Sequence, residues 1–181
     1  MMSPAPQPVS LAPTPVLSTA RLVLRAPTAA DWPAFRDFMM GARSEFVRQG
    51  ELDEGKAWRA FGHVIGHWVL RGFGLFVITE KGSDAGLGAV GPWHPAGAPE
   101  PEVGWSMWFA GSEGKGYAFE AAQAVQGWVR PALGWTRFVS YIDQQNTRSQ
   151  ALARRLGCVI DPAAEVFEDG IDAWVHPEGA A

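Results

Sequence analysis

The run from Glu102 to Arg130 constrains this chain more than any other stretch. Glu102-Val103-Gly104-Trp105-Ser106-Met107-Trp108-Phe109 carries apolar side chains on both faces of an extended segment, the pattern of a strand buried inside a sheet. Gly111, Gly114 and Gly116 follow. From Gly116 to Arg130 the apolar positions Ala118, Ala121, Ala122, Val125, Trp128 and Val129 recur with helical period, and Pro131 marks the end. A central strand, a glycine-rich turn and a helix, in that order, aim backbone N–H groups and the positive end of a helix dipole at one point. That point suits an anion such as a pyrophosphate. The turn is not a Walker loop: Gly111 and Gly116 have its spacing, but Tyr117 stands where its lysine belongs. Taken alone, the same residues also read as a glycine-rich turn without a ligand.

The rest of the chain supplies layers for this core. Arg21 to Arg25 alternates as a strand, and Thr28 with Asp31 forms a capping-box pattern ahead of a helix carrying Trp32, Phe35, Phe38 and Met39. Asp53 caps a second helix with Trp58, Phe61, Ile65 and Trp68 at helical spacing, and Gly72 stops it. Phe73 to Glu80 and Leu87 to Gly91 read as strands, and Pro92 to Pro101 as a loop. Thr136 to Ile142 is a further strand. Asn146 caps a short helix through Leu156, ended by Gly157, and Cys158–Ile160 and Ala173–Val175 are weaker strands. Paired strands followed by a strand–helix–strand crossover predict one mixed α/β (α+β) layered domain over residues 18–181. Residues 1–17, with five prolines between Pro4 and Pro15, read as a polyproline-like arm.

A second glycine pattern, Gly86-Leu87-Gly88-Ala89-Val90-Gly91, has dinucleotide spacing. No helix opens after it, since Pro92-Trp93-His94-Pro95 follows, so it reads as a coincidence within a strand. His63 and His67 are four apart on a helix, but the glutamate of a zinc-protease motif and an obvious third ligand are missing, so no metal is expected. The net charge of −4, without a basic stripe, argues against nucleic acid and leans toward a cationic small-molecule partner. Cys158 is the single cysteine, so no intrachain disulfide forms, which suits a cytoplasmic setting. No apolar run approaches the ~20 residues of a membrane span, and no secretory signal is read at the N-terminus.

The segment Asn146-Thr147-Arg148-Ser149-Gln150-Ala151-Leu152-Ala153-Arg154-Arg155-Leu156-Gly157 narrows the reading. Together with Gly114 to Ala118 it resembles the GCN5-related N-acetyltransferase (GNAT) superfamily, and more closely its ribosomal-protein alanine acetyltransferase-like branch. That family's phosphate loop reads Arg/Gln-x-x-Gly-x-Gly/Ala, which Gly116 and Ala118 fit. Its later motif Asn-x-x-Ser-x-x-(apolar)-Ala-x-x-Leu-Gly is fitted by Asn146, Ser149, Ala153, Leu156 and Gly157. The opening Thr19-Ala20-Arg21-Leu22-Val23-Leu24-Arg25 also looks like that branch's first strand. Glu113 departs from the pattern, for it stands at the Arg/Gln position, where a carboxylate repels a pyrophosphate.

The resemblance implies a mostly antiparallel sheet of six to seven strands with about four helices, splayed between the fourth and fifth strands. It implies acetyl-CoA as cofactor and an amine as acceptor, a protein N-terminus or a small molecule. The cofactor's expected contacts are Gly114, Lys115, Gly116, Tyr117 and Ala118 for the pyrophosphate, Trp108 and Phe109 on the splayed strand, and Asn146 and Ser149 across from it. Glu102 is the expected base, Ser149 a donor to the leaving sulfur, and a backbone N–H between Trp105 and Trp108 the oxyanion donor. The tyrosine acid of many relatives is replaced by Ala153. Trp93, His94 and Trp105 are expected around the acceptor. A non-catalytic acyl-CoA-binding domain of the same fold is the alternative, and a homodimer is compatible with either.

Overall fold

Leu22-Val23-Leu24-Arg25 alternates, and the alternation decides its orientation. Leu22 and Leu24 are fully buried while Val23 and Arg25 are half-buried. The computed structural model describes residues 8–47, 50 and 53–178. Its eight strands are β1 (Leu17–Ser18), β2 (Leu22–Arg25), β3 (Phe76–Glu80), β4 (Gly88–Trp93), β5 (Glu102–Met107), β6 (Val139–Asp143), β7 (Val159–Ile160) and β8 (Ile171–Val175). They form one sheet in the order β1-β2-β3-β4-β5-β6-β8-β7. Every neighbouring pair is antiparallel except β5–β6. The helices are α1 (Trp32–Met40), α2 (Glu54–Arg71), α3 (Tyr117–Leu133) and α4 (Thr147–Arg155).

The period of two along β3 and β4 sorts side chains onto two cores. Phe76, Ile78 and Val90 join Leu22, Leu24 and the α3 residues Ala121, Ala122, Val125 and Val129 on one face. Val77 and Ala89 face the other way, against Phe35, Phe38 and Met39 of α1, Phe61 of α2, and Trp108. Burying one such large side chain stabilises the fold by about 1.5–3 kcal/mol. The sheet is therefore sandwiched, with α3 on one side and α1 with α2 on the other.

Helix ends follow the sequence signals. Asp53 accepts a hydrogen bond from the Lys56 N–H at 2.7 Å, and Gly72 closes α2 in the left-handed region at φ 76°. Asp31 accepts from the Thr28 N–H at 2.7 Å and receives both arms of the Arg25 guanidinium at 2.8 and 2.9 Å, which tie the start of α1 to β2.

Several boundaries differ from expectation. The sheet has eight strands because Leu17–Ser18 adds a short one at the edge. Pro92 and Trp93 belong to β4 rather than to the following loop; pairing with β3 ends at Val90, so the missing Pro92 N–H disrupts no β3 bond. Pro131 lies inside α3, which runs to Leu133 and ends at Gly134, φ 70°. Pro131 sits in the last turn, so the hydrogen bond its missing N–H would give to the Gly127 carbonyl is lost only at the helix end. The three glycines of the dinucleotide-like pattern lie in or beside β4, as their context indicated. A Cβ on Gly88 would stand 2.3 Å from the Ser106 carbonyl oxygen, and one on Gly91 2.6 Å from that of Gly74. They permit close strand approach, with no helix behind them.

The feature that positions the site is the splay between β5 and β6, the same two strands named from the sequence as fourth and fifth. They pair in parallel at Glu102↔Val139 and then separate. A buried chain of hydrogen bonds fixes the point of separation. Gln126 Nε2 donates to His176 Nδ1 (3.0 Å), His176 Nε2–H donates to Ser140 Oγ (2.9 Å), and Ser140 Oγ–H donates to the Val103 carbonyl (2.6 Å). Burial, reinforced by the Arg130 cation, pushes the His176 pKa down to about 3, so the ring is neutral and this chain of donors is self-consistent. Beyond the splay β5 has no sheet neighbour on that side. That is why Gly104, Trp105, Ser106 and Met107 are half-buried rather than enclosed. No helix among the described residues is long and apolar enough to cross a membrane. Residues 1–7 of the proline-rich arm lie outside the described residues, whereas Leu11 and Leu17 pack against the main core.

Candidate active site

The start of α3 is built as an anion cradle. Gly114 and Gly116 adopt left-handed backbone, φ 72° and 79°, which turns successive N–H groups to one side. Among the described residues no side chain caps α3, so the first-turn N–H groups of Tyr117, Ala118 and Phe119 are left to a ligand or water. The loop is held from behind. Arg21 donates to the Lys115 carbonyl at 2.9 Å and to Glu120 at 2.7 Å, and Thr19 Oγ1 donates to Glu120 at 2.6 Å. Arg21 also lies over the Tyr117 ring, whose hydroxyl donates to Glu80. The Tyr117 side chain is thus committed to packing, and only its backbone faces the cradle.

Glu113 does not stand as a bare carboxylate. Arg43 approaches it at 2.5 Å and Arg148 at 3.1 Å, and the Arg43 contact holds its pKa below the ordinary carboxylate range. Two cations around one anion leave this rim net positive. Arg43 also donates to the Met107 carbonyl at 3.3 Å, while its Nε is buried without a partner. These groups, with Lys115, Arg155, Asn146 and Ser149, line a cleft of about 900 Å³ between β5, α3 and α4. An uncapped helix start, two left-handed glycines that leave the backbone open and a net positive rim fit the pyrophosphate of a coenzyme.

Across the splay lies a second cavity of about 350 Å³. Trp93 of β4, Glu102 and Trp105 of β5, and Tyr141 and Asp143 of β6 form its floor. Phe38 of α1, Phe61 and His63 of α2, and Phe167 form its walls. Trp93 is immobilised from behind by the His67 ring, stacked at 4.3 Å. Both His67 nitrogens are used: Nδ1–H donates to the Phe73 carbonyl at 2.8 Å, and Nε2 accepts from the His94 N–H at 3.1 Å. Burial lowers its pKa, which keeps it neutral. Trp105, Ser106, Asn146 and Ser149 border both spaces, so the two openings meet between β5 and α4.

Glu102 sits at the root of the splay. Burial pushes its carboxyl up to about 7, partly offset by a hydrogen bond from the Tyr141 backbone. A carboxyl poised near neutrality inside a cleft is suited to proton transfer. The backbone of β5 is also informative. The carbonyls of Val103 and Met107 are taken by Ser140 of β6 and by Arg43 of the turn after α1, so by strand alternation the Trp105 N–H points to the same side, into the gap. Ser149 Oγ accepts from Trp105 Nε1–H at 3.2 Å, which leaves its own proton to donate. Asn146 caps α4 through Oδ1, accepting the Ser149 N–H at 3.1 Å, and its amide N–H groups are not used by the cap.

Three expected positions fall elsewhere. Trp108 is buried in the second core, edge-on to Phe35 at 5.7 Å, and borders the aromatic cavity rather than the phosphate cleft. Strand alternation sends it there. Phe109 lies past the end of β5, is 42% exposed and lines neither space. His94 leaves the site because β4 extends through Trp93; its ring packs near Trp135. Arg43, Arg148, Phe61, Tyr141 and Phe167 escaped the sequence reading. For Arg21 a signal existed, in the first-strand pattern Thr19-Ala20-Arg21.

A mixed sheet opened between two parallel strands, with a helix-start anion cradle on one side and a half-buried carboxyl at the root, defines an acyltransferase that takes its acyl group from coenzyme A. Residues 21–159 match the family model described as Acetyltransferase (GNAT) domain, and the chain belongs to this family. Acetyl-CoA, the acyl donor of the family, is its cofactor. Among solved structures, the chain is similar to an acetyltransferase from Agrobacterium tumefaciens str. C58, with 35% identity over 96% of this chain and all of that one, TM-score 0.85. It also resembles a GNAT-family acetyltransferase from Bordetella pertussis, with 27% identity over 89% of this chain and 97% of that one, TM-score 0.70. RimL, a ribosomal L7/L12 α-N-protein acetyltransferase solved with coenzyme A, shares the fold at 18% identity, covering 90% of this chain and 96% of that one, TM-score 0.65. A comparison with curated proteins found no match.

Proposed function

We propose that the protein is an N-acetyltransferase in which a primary amine, seated in the aromatic cavity, attacks the acetyl thioester directly at the splay. The observation that carries this reading is the position and ionisation of Glu102: a carboxyl at about 7, on the strand that divides donor cleft from acceptor cavity. When bound, acetyl-CoA supplies an activated acyl carbon. The chain's own groups do the rest. Gly114 to Ala118 and the Arg43–Arg148 rim hold the phosphates, and Asn146 holds the pantetheine arm through its free amide N–H groups. Glu102 takes one proton from the attacking nitrogen through a water as the C–N bond forms. The Trp105 N–H stabilises the oxygen that gains negative charge. As the C–S bond breaks, the Ser149 hydroxyl donates to the sulfur, which leaves as the thiol, and Ser149 is reprotonated from solvent. A thiol with a pKa of about 8.5 leaves without a strong acid, so Ala153 in place of a tyrosine is tolerated.

Two measurements test this. Acetyl-CoA raises the melting temperature, and a panel of amines then releases free thiol in proportion to acetylated amine. A shift in melting temperature without thiol release from any amine supports instead the non-catalytic acyl-CoA-binding reading, whose support is the missing tyrosine and the replaced loop residue at Glu113.

A further inference from the structure

The two halves of the splay differ in charge. The donor cleft carries Arg43, Lys115, Arg148 and Arg155. The acceptor cavity carries Glu102 and Asp143, and among the described residues no lysine or arginine lines it. Aromatic rings make up much of its remaining wall: Phe38, Phe61, Trp93, Trp105, Tyr141 and Phe167, with His63 beside them. These rings come from α1, α2, β4, β5, β6 and the segment before β8, so the aromatic surface encloses the space rather than covering one side. Tyr141 and Phe167 pack edge to face at 5.1 Å, which joins the floor to the outer wall. Trp93 is fixed by His67 behind it and by His63 beside it, at 4.8 Å.

We infer that the acceptor is a small arylalkylamine, an amine on an aromatic group with no carboxylate or phosphate. The inference rests on the acetyl-transfer reading above and names its substrate class. The ammonium form is drawn by the two carboxyl groups and by aromatic faces; it loses its first proton to solvent, and Glu102 takes the second as the C–N bond forms. The aryl group fills the ring-lined space. A carboxylate on the same molecule meets two carboxyl groups and, among the described residues, no lysine or arginine, so it loses its hydration without such a partner. At about 350 Å³ the cavity lies near the lower end of ligand pockets, roughly 300–1,000 Å³, which disfavours large polyhydroxylated amines. A linear polyamine leaves the rings unfilled.

The test compares phenethylamine and tryptamine with phenylalanine, spermidine and a peptide bearing an N-terminal phenylalanine. Phenethylamine and phenylalanine differ by one carboxylate. With acetyl-CoA, kcat/KM for phenethylamine exceeds that for phenylalanine by about 100-fold or more. In the CoA-loaded protein, phenethylamine also changes tryptophan fluorescence, because Trp93 and Trp105 line the cavity, and this readout needs no turnover. Phe167 is 54% exposed, so Phe167→Arg is compatible with folding. A cation at that wall narrows the preference for phenethylamine over phenylalanine by about tenfold. Acetylation of spermidine or of the peptide in preference to the arylalkylamines overturns the inference and leaves the acetyltransferase reading standing. Thiol release from no amine overturns the acetyltransferase reading. Absence of a fluorescence change with phenethylamine overturns the inference in either case.

Discussion

The donor cleft and the acceptor cavity share one strand and are built from different materials. The donor cleft is made of backbone and cations: left-handed Gly114 and Gly116, the open N–H groups of α3, and arginines drawn together by Glu113. Its chemistry depends on main-chain geometry and tolerates many side chains. The acceptor cavity is made of rings that are also core residues, such as Phe38 at 4% and Phe61 at 3% exposure. Its shape cannot change without changing the packing of α1 on α2. A site made of backbone is reusable, whereas a site made of core side chains is specific to one acceptor and expensive to alter. Glu102 stands on the shared strand and lines the aromatic cavity.

This contrast is sharpened first at Glu102. Glu102→Gln lowers amine-dependent kcat/KM by about 10²–10⁴-fold while the affinity for coenzyme A stays within error. The same substitution raises stability at high pH. Burial has raised the folded-state pKa to about 7, so the stabilising protonated form is fully present below the unfolded value, about 4.3, and is lost as pH rises through about 7. Above pH 7 the Gln variant therefore melts higher than the wild type, and below pH 4 the difference disappears, as a series of thermal melts will show.

The acceptor wall is broken next. Phe61→Ala removes a ring that contacts Phe35 and Trp32 and costs about 3–5 kcal/mol in denaturant unfolding. If the cavity were lined by dispensable side chains, the loss would be under about 1 kcal/mol.

The donor side responds differently. Gly116→Ala places a side chain at φ 79°, which costs about 1–2 kcal/mol in that conformation, and coenzyme A affinity falls by about tenfold in calorimetry. Acceptor-induced tryptophan fluorescence is unaffected. The smallest effect belongs to Glu113→Gln. It releases Arg43 and Arg148 from a partly exposed carboxylate, and coenzyme A binds about two- to five-fold tighter at low salt, a gain that disappears at high salt.

The same contrast explains what was legible in the sequence. The donor cleft is local: β5, the glycine turn and α3 are consecutive, and Asn146, Ser149 and Gly157 lie within one helix and its ends, so spacing shows the turn and the helix ends while the family resemblance marks Asn146 and Ser149 as cofactor residues. The six rings of the acceptor cavity come from six segments brought together only by the fold. Trp93 and Trp105 line the cavity although the sequence reads Trp93 as part of a loop, because β4 extends one residue past Pro92. Phe38 and Phe61 gave only a helical period, which does not tell a core ring from a cavity wall. His94 and Phe109 were misplaced by strand ends, since β4 runs one residue past Pro92 and β5 stops at Met107. Trp108 also lies past the end of β5, and its N–H is taken by the Leu87 carbonyl, so its backbone faces away from the cleft. Glu113 looked repulsive because its partners, Arg43 and Arg148, are distant in sequence and meet only in the fold.

The central claim is that Glu102 couples the two sites as a base. The pH dependence of amine-dependent kcat/KM, compared between the wild type and Glu102→Gln, tests it most directly. The account predicts a logarithmic profile for the wild type that rises steeply up to about pH 7 and less steeply above it, the remaining slope reflecting the amine's own proton, with no break in the variant. A break at the same pH in the variant, or a wild-type profile without one, would contradict it.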